Sequence, residues 1–121
     1  MYSLEFPIRC SPTILYGFLS TPVGLQEWFA EKVDQRDHKF FFTWNGATDE
    51  AEVLEHLDDE FIRMRWNHAA KDEFFEFSID QSSVTNETIL RITDFAEKND
   101  LKDQQRLWST QVTELKHRIG S

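Results

Sequence analysis

The sequence predicts an α+β domain in which a seven-stranded antiparallel sheet curls over one long C-terminal helix. Three observations carry this. Residues 101–120 hold an apolar stripe at helical spacing, residues 32–95 switch to an alternation of period two broken by turn residues, and two short helical signals follow the first strand.

In chain order, residues 2–10 alternate, with Leu4, Phe6, Ile8 and Cys10 on one face and Ser3, Glu5 and Arg9 on the other, as a half-buried strand does. Pro7 has no N–H for a ladder, so this strand belongs at an edge of the sheet or carries a bulge. Ser11-Pro12 is a helix start, a capping hydroxyl followed by proline in the first turn, and Ile14, Leu15, Phe18 and Leu19 supply the stripe. Thr21-Pro22 repeats the signal, and Leu25, Trp28 and Phe29 continue it as a second short helix.

Residues 32–36 are a faint strand and residues 38–44 a clear one, with Phe40, Phe42 and Trp44 in phase. Asn45-Gly46 is the dipeptide of a two-residue hairpin turn, and residues 47–57 return across it. Ala51, Val53 and Leu57 are expected inward; Leu54 is out of phase, which points to a bulge nearby. Asp58-Asp59 turns the chain, and residues 60–67 put Ile62, Met64 and Trp66 on one face. After a loop at residues 68–72, residues 73–81 carry Phe75, Phe77 and Ile79 inward, and residues 84–95 return with Leu90 and Ile92.

In the final helix Leu101, Trp108, Val112, Leu115 and Ile119 fall within roughly 60° of arc. Asn99 or Asp100 caps its start, while Lys116, His117 and Arg118 oppose the carbonyl end and Gly120 stops it. A helix of about 28 Å needs a partner surface of that length, and the strands provide one.

A chain of 121 residues, 40% hydrophobic and 29% charged, is expected to form one domain spanning residues 1–121. No apolar run approaches the roughly eighteen residues of a membrane helix, and residues 1–5 lack the basic start of a secretory signal, so a cytoplasmic location is the expectation. The lone Cys10, read as a small buried hydrophobe, fits a reducing compartment. A net charge of −9 argues against nucleic acid and anionic membranes as partners. The acidic clusters at Asp49-Glu50, Asp58-Asp59-Glu60 and Asp72-Glu73 read as solvated turns.

Several stretches resemble a known family. Ser11-Pro12 through Leu19, Thr21-Pro22 through Trp28-Phe29, Trp44-Asn45-Gly46 with Ala51 and Val53, Arg65-Trp66, the run from Ile92 to Phe95, and Trp108 to Lys116 with Gly120 are similar to the START-like helix-grip (SRPBCC) superfamily. Within it they resemble the bacterial branch related to the activator of Hsp90 ATPase homologue. The resemblance covers nearly the whole chain and implies a cavity between the long helix and the concave sheet. Relatives use that cavity for apolar ligands, and others act as co-chaperones. It supplies no catalytic set.

The residues themselves offer little chemistry. His38, His56, His68 and His117 show no metal-binding spacing, and Gly17, Gly24, Gly46 and Gly120 are too scattered for a phosphate loop, so no metal or cofactor is expected. An apolar pocket orients its ligand with a few polar groups, which makes His56, Asp94 and Gln105 candidates. Each also has an ordinary reading, as an exposed strand histidine, a strand-end aspartate and a boundary glutamine. Arg63 and Arg65 share a face and are expected to pair outward with neighbouring acids. Eleven Phe, four Trp and two Tyr would fill much of such a cavity. Phe40, Phe42, Trp44, Met64, Trp66, Phe75 and Phe77, with Trp108 and Val112 on the helix, therefore line a pocket or form a core.

The expected function is a non-catalytic domain that binds a small apolar or amphipathic ligand. The alternatives are a protein-interaction or co-chaperone module and an enzyme of the cyclase or dehydratase kind.

Overall fold

The computed structural model describes residues 1–120. The chain forms β1 (Tyr2–Ile8), α1 (Pro12–Ser20), α2 (Pro22–Gln26), β2 (Lys32–Arg36), β3 (Lys39–Trp44), β4 (Ala47–Leu57), β5 (Phe61–Trp66), β6 (Phe75–Gln81), β7 (Thr88–Asp94) and α3 (Leu101–Ile119). The seven strands make one antiparallel sheet in the order β1-β7-β6-β5-β4-β3-β2. β1 is an edge, one of the two placements that Pro7 allows, and the other edge is the short, largely exposed and charged β2, a composition that discourages pairing with another chain.

Turn chemistry fixes the register. Asn45 and Gly46 both take positive φ, 49° and 80°, between β3 and β4, as the two-residue turn demands. Asp37, Asp59 and Asn86 hold the other non-glycine left-handed positions among the described residues, which Asp and Asn tolerate better than most side chains. The β4 register shifts between Val53 and Glu55, the bulge that Leu54 foreshadowed. One extra residue exchanges the faces of everything beyond it. Leu57 consequently faces out beside Phe61 and is half exposed, where period two predicts it inward.

Local differences have equally local causes. Asp49 and Glu50 lie inside β4 rather than in a turn, and Glu50 sits 3.3 Å from Lys39. β7 begins at Thr88, because Ser82 gathers the chain into a turn by accepting at Oγ from the N–H groups of Val84 and Thr85. Asp100 precedes α3 in helical conformation and makes no side-chain cap. Gly120 ends α3 in the left-handed conformation, its N–H returned to Lys116 O.

Helices α1 and α2 are capped by Ser11, whose Oγ accepts from Ile14 N–H, and Thr21, whose Oγ1 accepts from Gly24 N–H. On α1 the buried face is Leu15, Tyr16 and Leu19, while Ile14 turns to solvent. The two helices meet backbone to backbone. A Cβ on Gly24 would stand 2.1 Å from the Gly17 carbonyl oxygen and 2.6 Å from the Phe18 Cα. Gly24→Ala is therefore expected to force the helices apart and destabilise the fold by about 1–3 kcal/mol or more, measured by chemical denaturation. An unchanged midpoint would show that the contact yields freely.

Candidate functional site

The chain leaves α2 after Gln26, so the second helix stops short of Trp28 and Phe29. The turn that follows drops both rings into the interior, 5% and 4% exposed. Phe29 then becomes the centre of an aromatic cluster. Its ring stacks on Trp108 at 5.7 Å and meets Phe42, Trp44 and Phe77 edge-on at 4.9, 5.4 and 5.9 Å. Its carbonyl oxygen accepts from Trp44 Nε1 at 2.9 Å and from Gln111 Nε2 at 3.1 Å, tying β3 and α3 to the same peptide.

Against this cluster lies a cleft of about 380 Å³. Phe29, Trp44, Trp66 and Asp94 line it from the sheet and the α2–β2 turn. Trp108, Gln104, Leu107 and Gln111 line it from α3, with Asp100 and Asp103 at the helix start. A neighbouring lobe of about 270 Å³ shares Trp66, Asp94 and Gln104 and runs under residues 68–74, where the His68 ring stacks on Trp66 at 6.1 Å.

Asp94 is the polar centre of both lobes. As the last residue of β7 it keeps the inward phase of Leu90 and Ile92, and Trp108 Nε1 donates to its Oδ2 at 3.0 Å. The N–H of Phe95 donates to Oδ1 at 2.8 Å. Tyr2, opposite it on β1, directs its hydroxyl towards Gln104 Oε1 at 3.4 Å, and burial beside the Asp94 charge pushes the phenol up to about 12. Burial also raises the Asp94 carboxyl above its ordinary 3.8, reinforced by Glu73, against the pull of the hydrogen bonds from Phe95 N–H, Trp108 and Tyr2.

This shift has a defined sign. A carboxyl whose folded pKa is raised contributes most to stability below its unfolded value, and that contribution is lost as pH rises through the folded value. The stability of the wild type minus that of Asp94→Asn should therefore fall as pH increases from about 4 towards 7, since the difference isolates Asp94 from the other acids. Denaturant melts across that range measure it; a difference that grows with pH would contradict the assignment.

The structure brings together Trp44, Trp66, Asp94 and Trp108 of the residues singled out from sequence. Phe42, Met64, Phe75, Phe77 and Val112 are almost wholly buried and form the core beneath the cleft rather than its wall. Phe40 is equally buried and lies towards the opposite end of the sheet. His56 is there too, paired across from Ile62 beyond the bulge, exposed and 3.8 Å from Asp58, at a separate depression of about 320 Å³ shared with Tyr16 and His38. Gln105 is half-buried on α3 but outside the cleft; Gln104 and Gln111 take the place expected of it. Arg63 pairs with Glu76 at 2.8 Å as expected, whereas Arg65 donates to the backbone carbonyl of Glu73 rather than to a carboxylate. Among the described residues no three His, Cys, Asp or Glu side chains gather as a metal ligand set, and no helix is long and apolar enough to cross a membrane.

A curled antiparallel sheet gripping a long C-terminal helix, with a cleft between them, defines the class as helix-grip α+β proteins. The family model of the START-like superfamily domain matches residues 1–121, and the chain belongs to that superfamily. A protein from Bacteroides fragilis solved by NMR is 31% identical, over 98% of this chain and 89% of its own, with a TM-score of 0.67. The Aha1 dimer of Colwellia psychrerythraea is 18% identical over 94% of this chain and 91% of its own, TM-score 0.77. A crystallographically determined Mesorhizobium loti protein is also 18% identical, over 98% and 96%, TM-score 0.77. None of the functionally curated proteins matches the sequence.

Proposed function

We propose that the chain is a non-catalytic ligand-binding domain, one START-like unit over residues 1–121, that holds a small apolar or amphipathic molecule in the cleft between α3 and the sheet. The observation that carries this reading is the composition of the cleft: about 380 Å³ walled by Phe29, Trp44, Trp66 and Trp108 around one partly buried carboxyl. Ligand sites of this kind are concave and mostly apolar, with few polar groups to set orientation, and their volumes begin at about 300 Å³. Phe42, Met64, Phe75, Phe77 and Val112 fill the interior beneath, which confines the ligand to the cleft and its neighbouring lobe and favours a small molecule.

A protein-interaction role would draw on the Aha1 structure, whose likeness to this chain is one of fold. The cleft is a property of this chain's own residues, and it is the reading adopted. Three of the four tryptophans line it, so intrinsic fluorescence is a direct probe. Titration with a panel of short fatty acids, amines, indoles and small aromatic metabolites is expected to give saturable changes in emission, and a rise in melting temperature, for at least one class. No response to any member up to millimolar concentration, with native mass spectrometry showing only the bare chain, would overturn the reading.

A further inference from the structure

The charge of the cleft is as one-sided as its walls are aromatic. Across the two lobes the ionisable lining residues are Asp94, Asp100, Asp103 and Glu73, with His68, and no lysine or arginine lines either lobe. None of the four carboxylates forms an ion pair among the described residues. The outer face of the sheet is built differently. There Arg63 stands 2.8 Å from Glu76, and Arg91 stands 2.8 Å from both Glu5 and Asp80.

An excess of acid on a chain of net charge −9 needs no special reason, but in the cleft it coincides with three indoles and with a carboxyl held away from bulk water. Asp94 has two of its oxygen lone-pair sites engaged by Trp108 and Phe95 and can accept further donors. Indole rings present a negative π face, which attracts cations and has nothing to offer an anion. The carboxylates and the ring faces favour the same sign of ligand, and Asp100 and Asp103 offset the positive end of the α3 dipole at the mouth.

We propose that the ligand of this cleft is a small organic cation, a protonated amine or quaternary ammonium on an aromatic or short aliphatic body. The body lies among Trp44, Trp66 and Trp108, and the charge lies beside Asp94 with Asp100 and Asp103 at the mouth. The proposal rests on the reading of the cleft as a ligand site and adds the ligand's charge.

Three probes of matched ring and similar chain length test it: 2-phenylethylamine, 2-phenylethanol and 3-phenylpropionate, titrated at pH 7 and low salt by tryptophan fluorescence and calorimetry. The amine is expected to bind at least tenfold more tightly than the alcohol, and the carboxylate more weakly than either. Raising the salt should weaken the amine and leave the alcohol unchanged. Asp100→Asn and Asp103→Asn, exposed positions at the start of α3, should together lower the amine's affinity at least threefold without altering the alcohol's. If the alcohol binds as well as the amine, or a neutral member of the wider panel binds while the amine does not, the cation assignment falls and the ligand site stands. If nothing binds, both fall.

Discussion

Phe29→Ala is expected to destabilise the protein by about 3–5 kcal/mol, the range for removing a large buried aromatic side chain. The ring touches partners from β3, β5, β6 and α3, so no single neighbour can move in to refill its place. For a domain of this size the loss corresponds to a fall in melting temperature of roughly 10–25 °C. Differential scanning calorimetry measures it. Phe29→Leu keeps the backbone and part of the volume and should recover more than half of the loss. If the alanine variant lost less than about 1 kcal/mol, the position of Phe29 at the centre of the cluster would be wrong.

Trp108→Ala carries the second large effect, also about 3–5 kcal/mol, because it removes a buried ring that stacks on Phe29 and meets Phe77 edge-on. Part of that effect is polar and can be separated. Trp108→Phe retains a ring but leaves the Asp94 carboxyl without its indole donor, a loss of about 1–3 kcal/mol. Combining Trp108→Phe with Asp94→Asn in a double-mutant cycle gives the coupling directly. The two changes should be clearly non-additive, since each removes the same hydrogen bond. Strict additivity would mean that the indole N–H and the carboxyl do not meet in solution.

The helix and strand periodicities made the architecture legible from the residues. The stripe of α3, the paired Ser-Pro and Thr-Pro starts and the Asn45-Gly46 hairpin are local signals, and local chemistry fixes them. Leu54 even announced the bulge, because an apolar residue out of phase in a strand can be buried once an inserted residue shifts the pleat. What the bulge does to residues beyond it was not legible. Reversing the phase carried Leu57 outward and set His56 across from Ile62, and no periodicity shows where an extra residue is inserted.

The cleft was half legible for a related reason. Trp44, Trp66, Asp94 and Trp108 follow from strand and helix phase, so they could be named. Phe29 could not, because it sits in a turn, where its side chain obeys neither period. The hint was the pair Trp28-Phe29 ahead of an acidic residue and a strand, two large rings with no regular element long enough to bury them. Gln105 and Gln104 differ by one step of 100° on the helix, which is finer than a stripe drawn from sequence resolves.

The oxygen of Phe29 that receives both Trp44 and Gln111 has a mechanical consequence. One wall of the cleft is carried by a strand and the other by a helix, yet each is latched to the same atom, so the mouth at that end has a fixed gauge. Parting the walls there means breaking a hydrogen bond, and farther along the Trp108 Nε1–Asp94 Oδ2 bond again joins helix to sheet, so the space left to a ligand is the lobe under residues 68–74. Bulk added to a ligand is therefore best accommodated lengthwise, away from Phe29 and towards His68, and a series of guests that grow in length should be tolerated where a series that grows in girth is refused.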